Sequence, residues 1–169
     1  MRTEINRAIW SREIGPDDAA EIHRLKMRMK QERGRIKPDR INLKFSPGGL
    51  VDLEFAAQYM QLLEGADIKG GFRSPRTSEV WRAAAARGIG PRKAGQAAEA
   101  YELLGRVSSR LGLIYNRTGD RAGFTPEEID RARIPGSEGS TLQMVRRAME
   151  TGVETYRQVF GMEANNAGH

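Results

Sequence analysis

Asp52 and Glu54 are the carboxylates whose spacing could do chemistry in this chain of 169 residues, because they stand two apart just after the break Ser46-Pro47-Gly48-Gly49. Pro47 restricts Ser46 to extended geometry, and the two glycines permit backbone angles or close approaches that a side chain forbids. What the pair can do depends on local structure. In a hairpin, Ile41, Leu43 and Phe45 alternate on one strand and Val51, Leu53 and Phe55 on the other, so the carboxylates share a face and form a metal-binding pair. In a helix beginning near Gly49, residues two apart sit about 200° apart and cannot grip one ion together. The helix is favoured. The run continues through Ala56, Ala57, Gln58, Tyr59, Met60 and Leu63 without a turn residue, and Phe55, Tyr59 and Leu62 fall on one stripe. Acidic residues in a first turn also complement the positive helix end.

Other chemistries lack their residues. A glycine turn feeding a helix can cradle phosphate on free amides, but no Gly-Lys-Ser/Thr follows Gly49, and Asp52 and Glu54 would repel the anion. There is no His/Cys/carboxylate cluster at metal spacing and no Ser-His-Asp set. Gly136-Ser137 and Gly139-Ser140 are not followed by Asp-x-Asp, so the metal-binding core of a nucleotidyltransferase is missing. No catalytic or metal-ligating residue is therefore expected in this chain, which reads as a piece of something larger.

Positive charge is concentrated. Between Arg24 and Lys44 stand nine Lys and Arg against Glu32 and Asp39 alone, within a formal net charge of +6. Such a run is either a solvated helix face or a surface facing a nucleotide or an acidic partner. Arg40 and Lys44 are the candidates to face a ligand, because the loop carrying them ends at the Gly-Gly turn and its charges can be aimed. A basic all-helical nucleic-acid-binding module is a rival from another class, and a purely regulatory protein-interaction domain is a third. Against the nucleic-acid module, the basic residues are not interleaved with aromatics and no helix-turn-helix spacing is evident.

The elements that must position these residues read as helices. Residues 3–13 make a short helix, and Gly15-Pro16-Asp17-Asp18 opens a second whose Ile22, Leu25 and Met29 form the apolar stripe, with His23 inert. After the motif helix, from Gly49 to about Glu64, a loop runs from Gly65 to Pro75, and Thr77 or Ser78 caps a helix ending at Arg87. Gly88-Ile89-Gly90-Pro91 stops it, and Pro91 opens a long helix to about Tyr115, in which Gly105 and Gly112 are expected to admit a close neighbour. Thr125-Pro126-Glu127-Glu128 has the form of a capping box, and Ser140 caps a last helix with Leu142, Val145, Met149, Val153, Tyr156 and Phe160 at helical spacing. The expectation is an all-α, up-and-down, four-helix-bundle-like domain over residues 16–162 with extra short helices, a preceding segment over 1–15 and a frayed tail over 163–169. There is no cysteine, no apolar run near twenty residues and no signal-like start, which fits a cytoplasmic chain with no membrane role.

The pattern Lys44, Gly48, Gly49, Asp52, Glu54, Phe55, Gln58, Tyr59 resembles the helical domain of glutamine synthetase adenylyltransferase, the two-headed enzyme that adds and removes AMP on glutamine synthetase. Ala100-Tyr101 with Leu104, Arg106 and Arg110 is similar to a second family helix, as is the close with Val145, Arg146 and Tyr156. Ser108 departs from the pattern, standing where the family usually has glutamate. The resemblance implies a helical domain that closes the nucleotide cleft of an upstream nucleotidyltransferase domain, on which Mg²⁺ and ATP are held. Its implied partners are glutamine synthetase and a PII-type signal protein. The stop soon after Phe160, and Asp52 where the other half tends to have Arg-Glu, suggest the C-terminal, adenylylating half. Within it, Arg40, Lys44, Asp52, Glu54 and Gln58 are candidates to face nucleotide or partner, while Pro47, Gly48, Gly49, Phe55, Tyr59, Tyr101, Arg106 and Arg110 carry the motif structurally. Asp52 and Glu54 have two readings: contact with nucleotide or partner, or hydrogen bonds from the Gly-Gly loop or from Arg40, Arg106 or Arg110 that lock the helix start.

Overall fold

The computed structural model describes residues 16–33, 37–64, 74–116, 123–135 and 139–161. The helix expected over 3–13, most of the loop after Gly65 and the tail over 163–169 lie outside them. The described helices are α1 (Pro16–Arg33), α2 (Leu50–Glu64), α3 (Thr77–Arg87), α4 (Ala94–Tyr115), α5 (Pro126–Arg131) and α6 (Thr141–Val159). The domain is all-α and bundle-like: α4 packs on α3 and α6, and α2 packs on α6, α3 and α4. The hairpin alternative fails, for the only β pairing among the described residues is a single antiparallel bridge between Ile41 and Phe124. No helix among the described residues is long and apolar enough to cross a membrane.

Local chemistry sets most boundaries. Thr125 Oγ1 accepts from Glu128 N, and the Glu128 carboxylate accepts from Thr125 N, so the expected capping box opens α5. Ser140 caps α6 by accepting from Gln143 N, and Asp130 accepts from both Ser140 Oγ at 2.7 Å and Leu142 N at 3.1 Å. Gly88 closes α3 with φ 64°, the left-handed geometry that lets its amide reach Ala84 O and Ala85 O. Two expected starts differ. Neither Thr77 nor Ser78 caps α3. Arg76 occupies that place without a side-chain cap, and Ser74 instead bonds Glu79 and accepts from Arg76 N. At α4 the residues Pro91 to Lys93 form a turn, and regular helix begins at Ala94, whose amide donates to Pro91 O at 3.0 Å.

The core joins Leu53, Trp81, Leu104, Leu111, Phe124 and Val145, all fully buried. Three packing expectations need correction. Leu25 is 52% exposed, and the inward position of α1 is Lys26, one step round the helix in line with Ile22 and Met29. On α6 the expected Val145 and Tyr156 are buried and Leu142, Met149 and Phe160 pack half-buried against the core, but the fully buried line is completed by Thr141, Ala148, Gly152 and Thr155 rather than by Val153. Gly105 meets nothing within 4 Å of where a Cβ would stand; the close approach falls on Gly152 instead, where a Cβ would lie 2.1 Å from Gly48 O. Conversely a Cβ on Gly48, which has φ 75°, would lie 1.8 Å from Met149 O. The motif loop thus rests backbone to backbone on α6.

Candidate functional site

The loop from Ile41 to Gly49 folds back over the start of α2. Asn42, with no exposure at all, is its organiser: Oδ1 accepts from Lys44 N and Phe45 N, each at 2.9 Å, and Ser46 Oγ accepts from Asn42 N at 3.1 Å. Leu50 N donates to Leu43 O and Val51 N to Lys44 O, at 2.9 and 3.1 Å. The first amides of α2, which a phosphate would need, are therefore spent on carbonyls of the same loop.

Asp52 binds inward. Its Oδ2 accepts from Gly48 N at 2.8 Å, while Oδ1 stands 2.9 Å from Lys26 Nζ, with both side chains about 5% exposed or less. The Lys26 ammonium also lies 3.1 Å from the centroid of the Tyr156 ring, a desolvated cation against an aromatic face. Tyr156 OH pairs with His23 Nδ1 at 2.8 Å, and its ring stacks on Phe160, which stacks in turn on Tyr59. Burial, with the Asp52 charge in second place, holds the Tyr156 phenol far above its ordinary pKa. It remains a neutral hydroxyl for His23. Four segments, α1, the loop, α2 and α6, meet here on one buried charge pair.

Glu54 points to a different neighbour. Its Oε1 accepts from Tyr101 OH of α4 at 2.9 Å, and Tyr101 is raised in pKa by burial and then by the Glu54 charge. Neither carboxylate takes the arginine partner considered from the sequence. Arg40 Nη1 donates to Gly123 O at 3.3 Å and stands 3.7 Å from Glu128, bracing the loop against the start of α5. Lys44 is half-buried with its ammonium 5.5 Å from the Phe45 ring. Gln58, Pro47, Arg106 and Arg110 are exposed, Phe55 is half-buried, and Tyr59 is buried with its pKa raised by burial and then by Asp18. The structure thus gathers Gly48, Asp52 and Tyr59 around the buried pair and leaves Lys44 and Gln58 nearer the surface.

Lys26, His23, Asn42 and Tyr156 complete this centre. Lys26 reads in the sequence as one of a run of cations, yet its spacing from Ile22 and Met29 already puts it on their stripe. His23, expected to be inert, holds the Tyr156 hydroxyl. Asn42 carried no signal beyond its place before a turn.

The described residues do not fit a Mg²⁺ site: no group of three His, Cys, Asp or Glu could hold an ion, and Asp52 and Glu54 are engaged by Lys26 and Tyr101. The geometry defines a helical module whose acids fasten its own elements. A family model described as GlnD PII-uridylyltransferase matches residues 19–162, and the chain belongs to that family. The resemblance drawn from the motif is met among curated relatives named bifunctional glutamine synthetase adenylyltransferase/adenylyl-removing enzyme. The one from Streptomyces coelicolor is 36% identical over 118 residues, covering 69% of this chain and 12% of the relative. That from Streptomyces avermitilis is 37% identical, covering 79% and 14%, and that from Ralstonia nicotianae is 30% identical, covering 74% and 13%. The chain spans 12% to 14% of the length of these relatives.

Proposed function

We propose that this chain is the helical companion domain of a glutamine synthetase adenylyltransferase, closing the nucleotide cleft of an attached nucleotidyltransferase domain in the cytoplasm. The observation that carries the reading is the identity with adenylyltransferases over most of this chain. ATP and Mg²⁺ belong to the attached domain, so this chain alone is inactive. The whole enzyme would transfer AMP to glutamine synthetase, remove it by phosphorolysis in its other half, and answer to a PII-type signal protein. The part assigned to this chain is positioning and charge. Lys44, on a loop pinned by Asn42, is aimed at nucleotide phosphate, with Arg40 bracing the same loop. The family description itself supports a second reading, uridylyl transfer to a PII protein.

The test uses the full-length enzyme. Lys44→Met should lower AMP transfer to glutamine synthetase at least about tenfold, roughly 1.4 kcal/mol in the barrier, with the melting temperature nearly unchanged. Unchanged activity removes Lys44 from the cleft, and a matching loss of stability makes it a fastener. Transfer of UMP from UTP to a PII protein, with none of AMP to glutamine synthetase, selects the second reading.

A further inference from the structure

A cleft of about 680 Å³, away from the Lys26–Asp52 pair, is lined by Arg110 of α4, Arg131 at the end of α5 and Arg133 just beyond it. Its size lies within the range of small-molecule sites, roughly 300–1,000 Å³. Three arginines from three segments line one hollow, and among the described residues the only carboxylate in its wall is Asp130. That carboxylate accepts from Ser140 Oγ and Leu142 N through Oδ1, capping α6; it keeps its negative charge, partly answered by Arg133, so three cations against one anion leave the wall net positive. Among the described residues no ion pair is formed by Arg110, Arg131 or Arg133, whereas Arg76, Arg82 and Lys93 elsewhere each hold a glutamate. Ile134 and Pro135 add an apolar wall beside the cations.

We propose that this cleft binds a small phosphate-bearing anion, held through forked hydrogen bonds from Arg110, Arg131 and Arg133. Planar guanidinium groups match phosphate oxygens two at a time, and three of them relieve their mutual repulsion by sharing a multiply charged ligand. The start of α6 is not the receptor, because Asp130 already occupies it. The shared chemistry is a di- or triphosphate group, free or as the tail of a nucleotide. In the nucleotide case the Ile134–Pro135 wall takes the base. The inference does not depend on the AMP-transfer reading.

Isothermal titration of the 169-residue chain with pyrophosphate, ATP, AMP and sulfate tests it. Pyrophosphate or ATP should bind, and Arg110→Gln, Arg131→Gln or Arg133→Gln should each weaken binding at least about tenfold, as loss of a charge-assisted contact requires. Arg82→Gln, outside the cleft, should leave affinity unchanged. ATP tighter than pyrophosphate assigns a nucleotide, and the reverse order assigns the free anion. These arginines are exposed, so their variants should melt with the parent and loss of binding reads as loss of contact. Absence of binding by both pyrophosphate and ATP overturns the proposal. So does sulfate binding as tightly as either, or a triple variant that binds as the parent does.

Discussion

Replacing Lys26 by methionine tests whether the buried charge pair fastens α1 to the domain. Methionine keeps the length and helix preference of the stem but removes the ammonium that stands 2.9 Å from Asp52 and 3.1 Å from the Tyr156 ring centre. Asp52 would then be a buried carboxylate keeping the Gly48 amide while losing its cation. Breaking one side of such a pair costs about 3–5 kcal/mol, because the remaining charge stays desolvated. Against a total stability of roughly 5–15 kcal/mol that is a large fraction. For a chain of this size it lowers the melting temperature by roughly 6–20 °C. Urea unfolding followed by circular dichroism measures it. The double variant Lys26→Met/Asp52→Asn removes both charges and keeps an acceptor for Gly48 N, so it should recover at least half of the loss. A single-variant cost below about 1 kcal/mol, within the range of an exposed pair, would refute the reasoning. So would strict additivity in the double variant.

Two further outcomes follow from packing and titration. Gly152→Ala should destabilise by several kcal/mol, since its Cβ would stand 2.1 Å from Gly48 O, whereas Gly105→Ala, with open space around it, should stabilise by about 1 kcal/mol; equal melting temperatures for the two would contradict the assigned contact. Stability should fall as pH rises above about 10, because Tyr156, Tyr101 and Tyr59 all have raised pKa values, chiefly from burial. The sign follows from proton counts: above that pH the unfolded chain releases phenolic protons that the folded chain retains, so the unfolded state gains. Urea midpoints should decline between about pH 9 and about pH 11, and Tyr156→Phe should flatten the decline.

What was legible in the sequence was the chemistry of neighbours. Thr125 with Glu128, Ser140 with Gln143, and Gly88 act within one helical turn, so their residue types alone mark where helices start and stop. The Gly-Gly break before α2 was legible for the same reason. Hidden were relations across the fold. Lys26 shares the stripe of Ile22 and Met29, but it can be buried there only because Asp52 and Tyr156, distant in sequence, supply a counter-charge and a ring, and a run of cations gives no hint of those partners. Gly152 and Gly105 look alike on a helix. Which of them meets another backbone depends on how α6 faces the motif loop. The partners of Asp52 and Glu54 were sought in the Gly-Gly loop or among arginines: Gly48 N does donate to Asp52, but Lys26 and Tyr101 take the places given to the arginines, through the packing of α1 and α4 on α2.

The anchoring of α1 by a charge has a geometric result. A helix seated on leucines can roll or slide by a residue at modest cost, since one aliphatic contact substitutes for another. Lys26 allows no such slippage: a small rotation would strand an ammonium in the interior away from its carboxylate and ring. It works as an indexing pin. With that angle set, the outward direction of Arg24 and Arg28, both exposed on the same helix, is set as well relative to the loop that carries Lys44. The positive flank of the domain is thereby held in one fixed orientation by a cation that never reaches the surface.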